Sequence, residues 1–433
     1  MSYEAYKDDS LGFTTRQLHA GYNPAEHYRA KTVPIYQTAA YELGDFDRCV
    51  RLFAHEEDGF SYARSANPTN AVLERRLVSL EEGTAALALA SGMAGISGTF
   101  LNLCGVGDEI IAVKALYGGT TNLLQNILPR HGIVGRFVEN PNDLSAYEAL
   151  INEKTKAIFV ETLSNPDLRV ADLEGLSDLA HRHGLPLVVD NTFATPYLLR
   201  PFAFGADVVC YSATKYLSGH GVAIGGLVVE NGKFDWLNGR FPHMEQLYEE
   251  QKTAIGDEQL KSSLFTARLK QHYLTDFGAH LSPTTAFYLL QGIETLSLRM
   301  DRHVENARQV AEFLEGHPAV HTVFYPSLSS NPYHDLATKY FPKGAGAILS
   351  IRVKGGIEAA KQVLHKVKLF DYMVNVGDAK SMIVHPASST HHNLEESQWE
   401  AAGVYADQLR LSVGIEDAKD LIADLEQALA ELV

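Results

Sequence analysis

The stretch VVCYSATKYLSGHGVAIGG, residues 208–226, decides how the rest of the chain is read. It opens as a short apolar run fit for a buried strand, then empties into Lys215, which has hydroxyls on either side and four glycines after it. A lysine at the exit of a core strand carries a desolvation cost unless it is paired, deprotonated or covalently used. Ligands of open α/β sheets bind beyond the carboxyl ends of the strands. The question is therefore whether other strands end in the same way.

They do. DEIIAV (108–113) leads into KALYGGT, which puts Tyr117 beside two glycines. KAIFVE (156–161) runs into TLSNP and supplies Glu161 and Asn165, while LPLVVD (185–190) terminates in Asp190 and continues as NTFATP. DVVCYS (207–212) opens onto Ser212, Thr214 and Lys215. Between these runs lie helical stretches such as TTNLLQNIL and EGLSDLAHRHG. Apolar strands separated by helices predict a mostly parallel sheet covered on both faces. In ASGMAGI (90–96), Ser91, Gly92 and Met93 fall at a predicted helix start. Small residues there leave backbone N–H groups exposed, which is an anion site.

The rhythm breaks over residues 230–275, which are polar, with EEQKTAIGDEQLKSS at their centre. Beyond them ETLSLRMDRHVENARQVAEFLEGH reads as a long amphipathic helix. GAILSIRVKGG and QLRLSVGI read as strands of a second, smaller α/β unit. The expected organisation is an N-terminal arm over 1–65, a large domain over 66–275 and a smaller C-terminal domain over 276–433.

Composition narrows the class. A chain of 433 residues exceeds one small core, and 45% hydrophobic with 21% charged residues is ordinary for a soluble globular protein. The net charge of −16 argues against nucleic acid or an anionic membrane as the main partner. Cys49, Cys104 and Cys210 have neither disulfide-framework nor zinc spacing. His385, His391 and His392 of HPASSTHH lack a completing acid, and adjacent ligands point apart, so no metal is expected. MSYEAYKDDSLGF carries no signal pattern, and no apolar stretch reaches membrane-span length. A cytoplasmic protein is expected.

An aromatic, an acid, hydroxyls, an amide nest and one lysine are what pyridoxal 5'-phosphate needs. The Lys215 amine would take the aldehyde as a Schiff base. Asp190 would keep the pyridine nitrogen protonated, so that the ring accepts carbanion charge. Hydroxyls and amides would hold the phosphate, and Tyr117 would stack on the ring. Taken singly, Asp190 reads equally as a helix cap, Tyr117 as a packed aromatic and Lys215 as a snorkelling surface lysine. Their joint occurrence at strand exits carries the argument.

SATKYLSGHG, VVDNTFATP, ASGMAG and YARSANPT together resemble the pyridoxal-phosphate enzymes of cysteine and methionine metabolism. The resemblance runs from TVPIYQTAAYEL to LRLSVGIED and implies an aminotransferase-like fold of type I. NVGDAKSMIVHPASSTHHNLEESQW and LLQGIETLSLRMDRHVENA are similar to the O-acetylhomoserine sulfhydrylase subgroup. That subgroup implies γ-replacement of acetate by sulfide or methanethiol on O-acetyl-L-homoserine; a cystathionine γ-synthase, a methionine or cystathionine γ-lyase and a catalytically idle homologue are the alternatives. NGRFPHMEQLYEEQKTAIGDEQLKSS departs from the subgroup's pattern and leaves acceptor choice open.

Carried over residue by residue, the resemblance makes Lys215 the cofactor lysine and proton shuttle. Asp190 becomes the partner of the pyridine nitrogen, Tyr117 the stacking ring and general acid–base, and Asn165 the contact to the ring hydroxyl. Ser91, Gly92, Met93, Ser212 and Thr214 would hold the phosphate. Tyr62 and Arg64 of YAR would reach the same phosphate from a neighbouring subunit, which implies a homodimer within a homotetramer. Arg410 and Ser381 would hold the substrate carboxylate. In LRLSV, Arg410 and Ser412 share one strand face. Without the resemblance, Arg410 reads as a solvent-facing residue on an edge strand.

Overall fold

The computed structural model describes residues 10–54, 56–392 and 394–432, so residues 1–9 of the expected arm lie outside the described residues. Seven strands form the larger sheet: β1 (Ala85–Leu89), β2 (Glu109–Val113), β3 (Val134–Val138), β4 (Thr155–Glu161), β5 (Leu187–Asp190), β6 (Val208–Ser212) and β7 (Gly226–Glu230). Their spatial order is β1-β7-β6-β5-β4-β2-β3, with only β7 antiparallel to its neighbours. The expected doubly covered, mostly parallel sheet is present.

Its two faces explain why the central strands read as unbroken apolar runs. Side chains alternate along a strand: Ile158 and Val160 of β4 enter one apolar cluster, while Ala157 and Phe159 enter the other. Val209 and Tyr211 of β6 take the first side, Val208 and Cys210 the second. With both faces buried, no position is left for a polar residue until the strand ends.

A second sheet comprises β8 (Val320–Phe324), β9 (Ile348–Val353), β10 (Asp371–Tyr372), β11 (Met382–Val384) and β12 (Gln408–Ser412), in the order β10-β11-β12-β9-β8. Only β10 and β11 pair in parallel. The long helix arrives as Leu296–Glu315 and packs on β8, β9 and the helix Ala418–Leu429. One apolar cluster joins this unit to the inner face of the larger sheet through Met300, Leu349 and Leu411.

The polar segment after β7 folds into helices over Pro242–Ile255, Asp257–Lys261 and Leu264–Arg268. Trp236, Phe241, Met244, Leu247 and Phe265 bury against the outer face of the larger sheet. Glu230, wholly buried at the end of β7, pins this cover: its carboxyl accepts Trp236 Nε1 at 2.9 Å, Phe265 N at 3.2 Å and Thr266 N at 2.9 Å. The described part of the arm behaves differently. Its helix Phe46–Phe53 buries no residue and leaves Phe46 81% exposed and Phe53 66% exposed.

Candidate active site

The carboxyl ends of β4, β5 and β6 open into one cavity of about 270 Å³. Gly92, Tyr117, Asp190, Lys215 and Arg410 line it, together with Ser91, Met93, Asn165, Ser212 and Thr214. The strand-exit residues are thus brought together, and each is held by local chemistry. Ser91 caps the helix Gly92–Leu103, its Oγ accepting Ala94 N at 3.1 Å. Gly92 is pressed onto β6: a Cβ there would lie 2.7 Å from Ser212 Cβ. That contact sets the free amides at the helix start beside the Ser212 hydroxyl, a cradle shaped for a phosphate.

Asp190 is buried, accepts Thr192 N at 2.9 Å and stands in register with Glu161 of β4. Burial pushes its carboxyl up to about 6. Burial, and then the Asp190 charge, raise Glu161 well above the usual carboxylate range. A cation in the cavity would relieve this cost, and a protonated pyridine nitrogen is such a cation. Glu161 also accepts the backbone N–H of Tyr117 at 2.7 Å, fixing the loop that carries the half-exposed tyrosine ring.

Lys215 faces the acids from the β6 exit. Burial, with the Arg410 charge as the lesser cause, lowers its amine to about 8. Its Nζ donates to Asn375 Oδ1 at 2.5 Å. Arg410 sits on β12, the middle strand of the second sheet, so it is buried and not a solvent-facing edge residue. Its Nη1 donates to Asn165 Oδ1 at 2.9 Å and its Nη2 to the Asn375 carbonyl at 3.4 Å. A buried, forked cation held in place beside a lysine suits an amino-acid carboxylate.

Three expected residues are not at this cavity. Ser381 is wholly buried; its Oγ donates to Glu416 Oε2 at 2.9 Å and accepts Gly414 N at 2.8 Å, so the hydroxyl is committed elsewhere. Its hydroxyl ties the loop to Glu416 and Gly414. Tyr62 is 46% exposed. The Arg64 guanidinium lies 5.2 Å over the Tyr62 ring and donates to the Thr275 carbonyl, outside the cavity lining. Four polar residues of the cavity lining were given no role by the sequence: Glu161, Thr192, Asn375 and Thr390. Glu161 ends β4 as Asp190 ends β5, so the strand-exit rule held the signal. Asn375 lies in a loop 160 residues from its partner, and nothing local announces it.

His385, His391 and His392 each engage in a local hydrogen bond, to Ser388, Thr390 and the Ser389 carbonyl. Among the described residues no group of three or more His, Cys, Asp or Glu is placed to hold a metal. No described helix is long and apolar enough to cross a membrane.

Residues 14–430 match the Cys/Met metabolism PLP-dependent enzyme family. The chain belongs to that family. Its relatives include a sulfhydrylase of Fusarium oxysporum f. sp. lycopersici, 46% identical with 96% of both chains covered. The homocysteine synthase of Schizosaccharomyces pombe is 44% identical, covering 97% of this chain and 99% of its own. O-acetyl-L-homoserine sulfhydrylase 1 of Thermus thermophilus is 43% identical, covering 97% and 100%. A crystal structure described as an O-acetylhomoserine (thiol)-lyase of Campylobacter jejuni superposes with a TM-score of 0.91 at 39% identity, covering 97% of this chain and all of its own. That structure holds a pyridoxyl-lysine monophosphate. The enzyme of this family described above uses pyridoxal phosphate, and its cavity fits the group: an amine of lowered proton affinity, a buried acid and an amide cradle converge on one space.

Proposed function

We propose that this enzyme joins O-acetyl-L-homoserine and sulfide, releasing L-homocysteine and acetate, with methanethiol as an alternative acceptor that gives L-methionine. The names of the relatives supply the substrate class. The observation carrying the reading is the convergence of Lys215, the buried Arg410 and the buried acid Asp190 on one cavity.

Bound pyridoxal phosphate supplies an aldehyde for amines and a protonated ring that accepts the electron pair released at Cα. Ser91, Gly92, Met93, Ser212 and Thr214 hold its phosphate, Asp190 its ring nitrogen, Asn165 its ring hydroxyl and Tyr117 its face. Arg410 binds the substrate carboxylate and, steadied by Asn165, fixes which Cα–H points at Lys215. A lysine titrating near 8 is partly neutral at working pH, so its amine takes the Cα proton, would pass it to C4′ of the bound cofactor, and is then free to take one from Cβ. The Cγ–O bond breaks, acetate carries away the electron pair, and Tyr117 donates the proton that eases its departure. The sulfur of the acceptor then bonds to Cγ as its proton returns to Tyr117, and Lys215 returns the protons to Cβ and Cα.

The same proposal covers the assembly. Phe46 and Phe53 on a helix that buries nothing, and Tyr62 with Arg64 outside the lining of the cavity, suit an arm that completes the neighbouring subunit's phosphate site. A homotetramer of two such dimers, cytoplasmic, with an arm over 1–65 and domains over 66–275 and 276–433, is the resulting picture.

The test is an absorption spectrum of the purified protein with O-acetyl-L-homoserine, followed by sulfide. A band that shifts with the ester and recovers with homocysteine only after sulfide is expected. Oxobutanoate and ammonia without sulfide would make the enzyme a γ-lyase.

A further inference from the structure

We propose that Asn375 is a positioning residue for Lys215, its amide oxygen taking the lysine amine whenever that amine is not covalently engaged. The inference rests on the role given to Lys215 above and adds a residue from the C-terminal half that governs where the freed amine waits.

The geometry is specific. Asn375 Oδ1 accepts Lys215 Nζ at 2.5 Å, while its main-chain carbonyl accepts Arg410 Nη2 at 3.4 Å. One residue therefore touches both the proton carrier and the cation for the substrate carboxylate. Its own position is fixed by the loop that follows. Gly377 adopts φ +77°, and a Cβ there would fall 2.6 Å from Tyr216 N and 3.0 Å from the Lys215 carbonyl carbon. The Gly377 N–H donates to Ser412 Oγ at 3.0 Å, on the same face of β12 as Arg410. Ala379 N donates to the Gly219 carbonyl at 2.9 Å. The loop 375–379 is thus fastened to the backbone of the lysine loop at one side and to β12 at the other. Asn375 cannot follow a wandering lysine; the lysine must come to it.

The consequence is chemical. A flexible ammonium on four methylenes loses considerable rotamer freedom when held. A fixed neutral acceptor restricts that search, so the freed amine stays beside Arg410, near the Cα of a substrate whose carboxylate Arg410 holds. An amide also leaves the amine free to lose its proton, whereas a carboxylate at this place would bind the ammonium too firmly. Asparagine supplies the hold without the charge.

The experiment uses the full-length enzyme and its N375A and N375D variants, with K215A as control. Each is stripped of cofactor, and the pH dependence of Lys215 acetylation by acetic anhydride is read by peptide mass spectrometry. N375D is expected to move the Lys215 midpoint up by about one pH unit. N375A removes a partner that favours the charged form and moves the midpoint down. In the reloaded enzymes N375A lowers kcat about tenfold with KM little changed, and N375D moves the acid limb of the kcat profile upward together with the labelling midpoint. Midpoints that coincide with wild type in both variants overturn the inference, as does an unmoved kcat profile in N375D. A K215A enzyme that keeps the cofactor band and turnover overturns the underlying role of Lys215 instead, so the two failures are told apart.

Discussion

Glu161 and Asp190 stand directly opposite each other at the ends of the paired strands β4 and β5, both buried. Their proximity is costly whenever both are ionised with no cation beside them. Asp190 titrates near 6 in the folded chain against 3.8 as a free carboxyl. Between those values the native state holds more protons than the unfolded one, so stability falls as pH rises through that window. A cationic ring nitrogen bound at Asp190 removes the penalty. The melting temperature of the cofactor-free protein should therefore drop between about pH 4 and pH 6.5 relative to an Asp190→Asn variant, and the loaded protein should lose that slope. A loaded protein with an unchanged slope would place the ring nitrogen elsewhere.

A second titration lies at the opposite end of the strands. His181 Nε2 bonds Asp207 Oδ2 at 2.9 Å, and that hydrogen bond is the main cause of a raised imidazole proton affinity. The contribution is present below the free-histidine value and is lost as pH rises through the folded one. The His181 side chain is 41% exposed, so screening keeps the effect below about 1 kcal/mol. Urea midpoints of His181→Asn and wild type should differ at pH 5.5 and converge at pH 8.5. A difference that grows toward pH 8.5 would contradict the assignment.

How much of this could be seen in the sequence follows from burial. β4, β5 and β6 are covered on both faces, so their residues are apolar until the strand ends, and the first polar residue marks the cavity. Asp190 and Lys215 were legible for that reason. β3 is an edge strand whose Val134 is exposed, and β1 is made only of alanine and leucine; neither shows the run of β-branched residues that reveals a strand. The segment after β7 looked like a polar interruption because its anchors, Trp236, Phe241 and Phe265, are spread among charged residues. Alternation alone puts Arg410 at an edge, because it does not say what covers the second face; only the resemblance assigns it to a substrate carboxylate. Asn375 and Ser381 show the remaining limit: they lie in one short motif, yet one turns to the lysine and the other to Glu416. Only the path of the loop decides which.

Glu230 tests the cover formed by that segment. Replacing it with alanine leaves the Trp236, Phe265 and Thr266 donors buried and unpaired, at a cost of about 3 kcal/mol. Glu230→Gln keeps one acceptor oxygen and should cost less. The carboxyl is raised to about 7, chiefly by burial, so the native state binds the proton more tightly than the unfolded chain and loses stability as pH climbs from 4.5 toward 7. The glutamine variant should show a flatter stability profile over that range in guanidinium unfolding. Equal stability of E230A and wild type would mean that the three donors find other partners.

Arg410 carries the sharpest kinetic expectation. Its two terminal nitrogens already serve Asn165 and Asn375, which hold the plane of the guanidinium fixed before any substrate arrives. A carboxylate meeting this plane gains two parallel hydrogen bonds with no reorganisation. Lysine in its place offers a point charge on a flexible stem, and leaves the Asn165 amide oxygen and the Asn375 carbonyl competing for the same ammonium. Arg410→Lys should raise KM for O-acetyl-L-homoserine at least tenfold, a loss of about 1.4 kcal/mol or more in binding. Because Arg410 also lowers the Lys215 amine through its charge, the conserved charge of the lysine variant should leave that titration nearly in place, whereas Arg410→Gln should raise it. The two variants thus separate the fork from the charge: KM suffers in both, but the acid limb of the pH profile moves only in the glutamine form. Identical pH profiles in the two variants would show that Arg410 acts on the substrate alone and has no hold on Lys215.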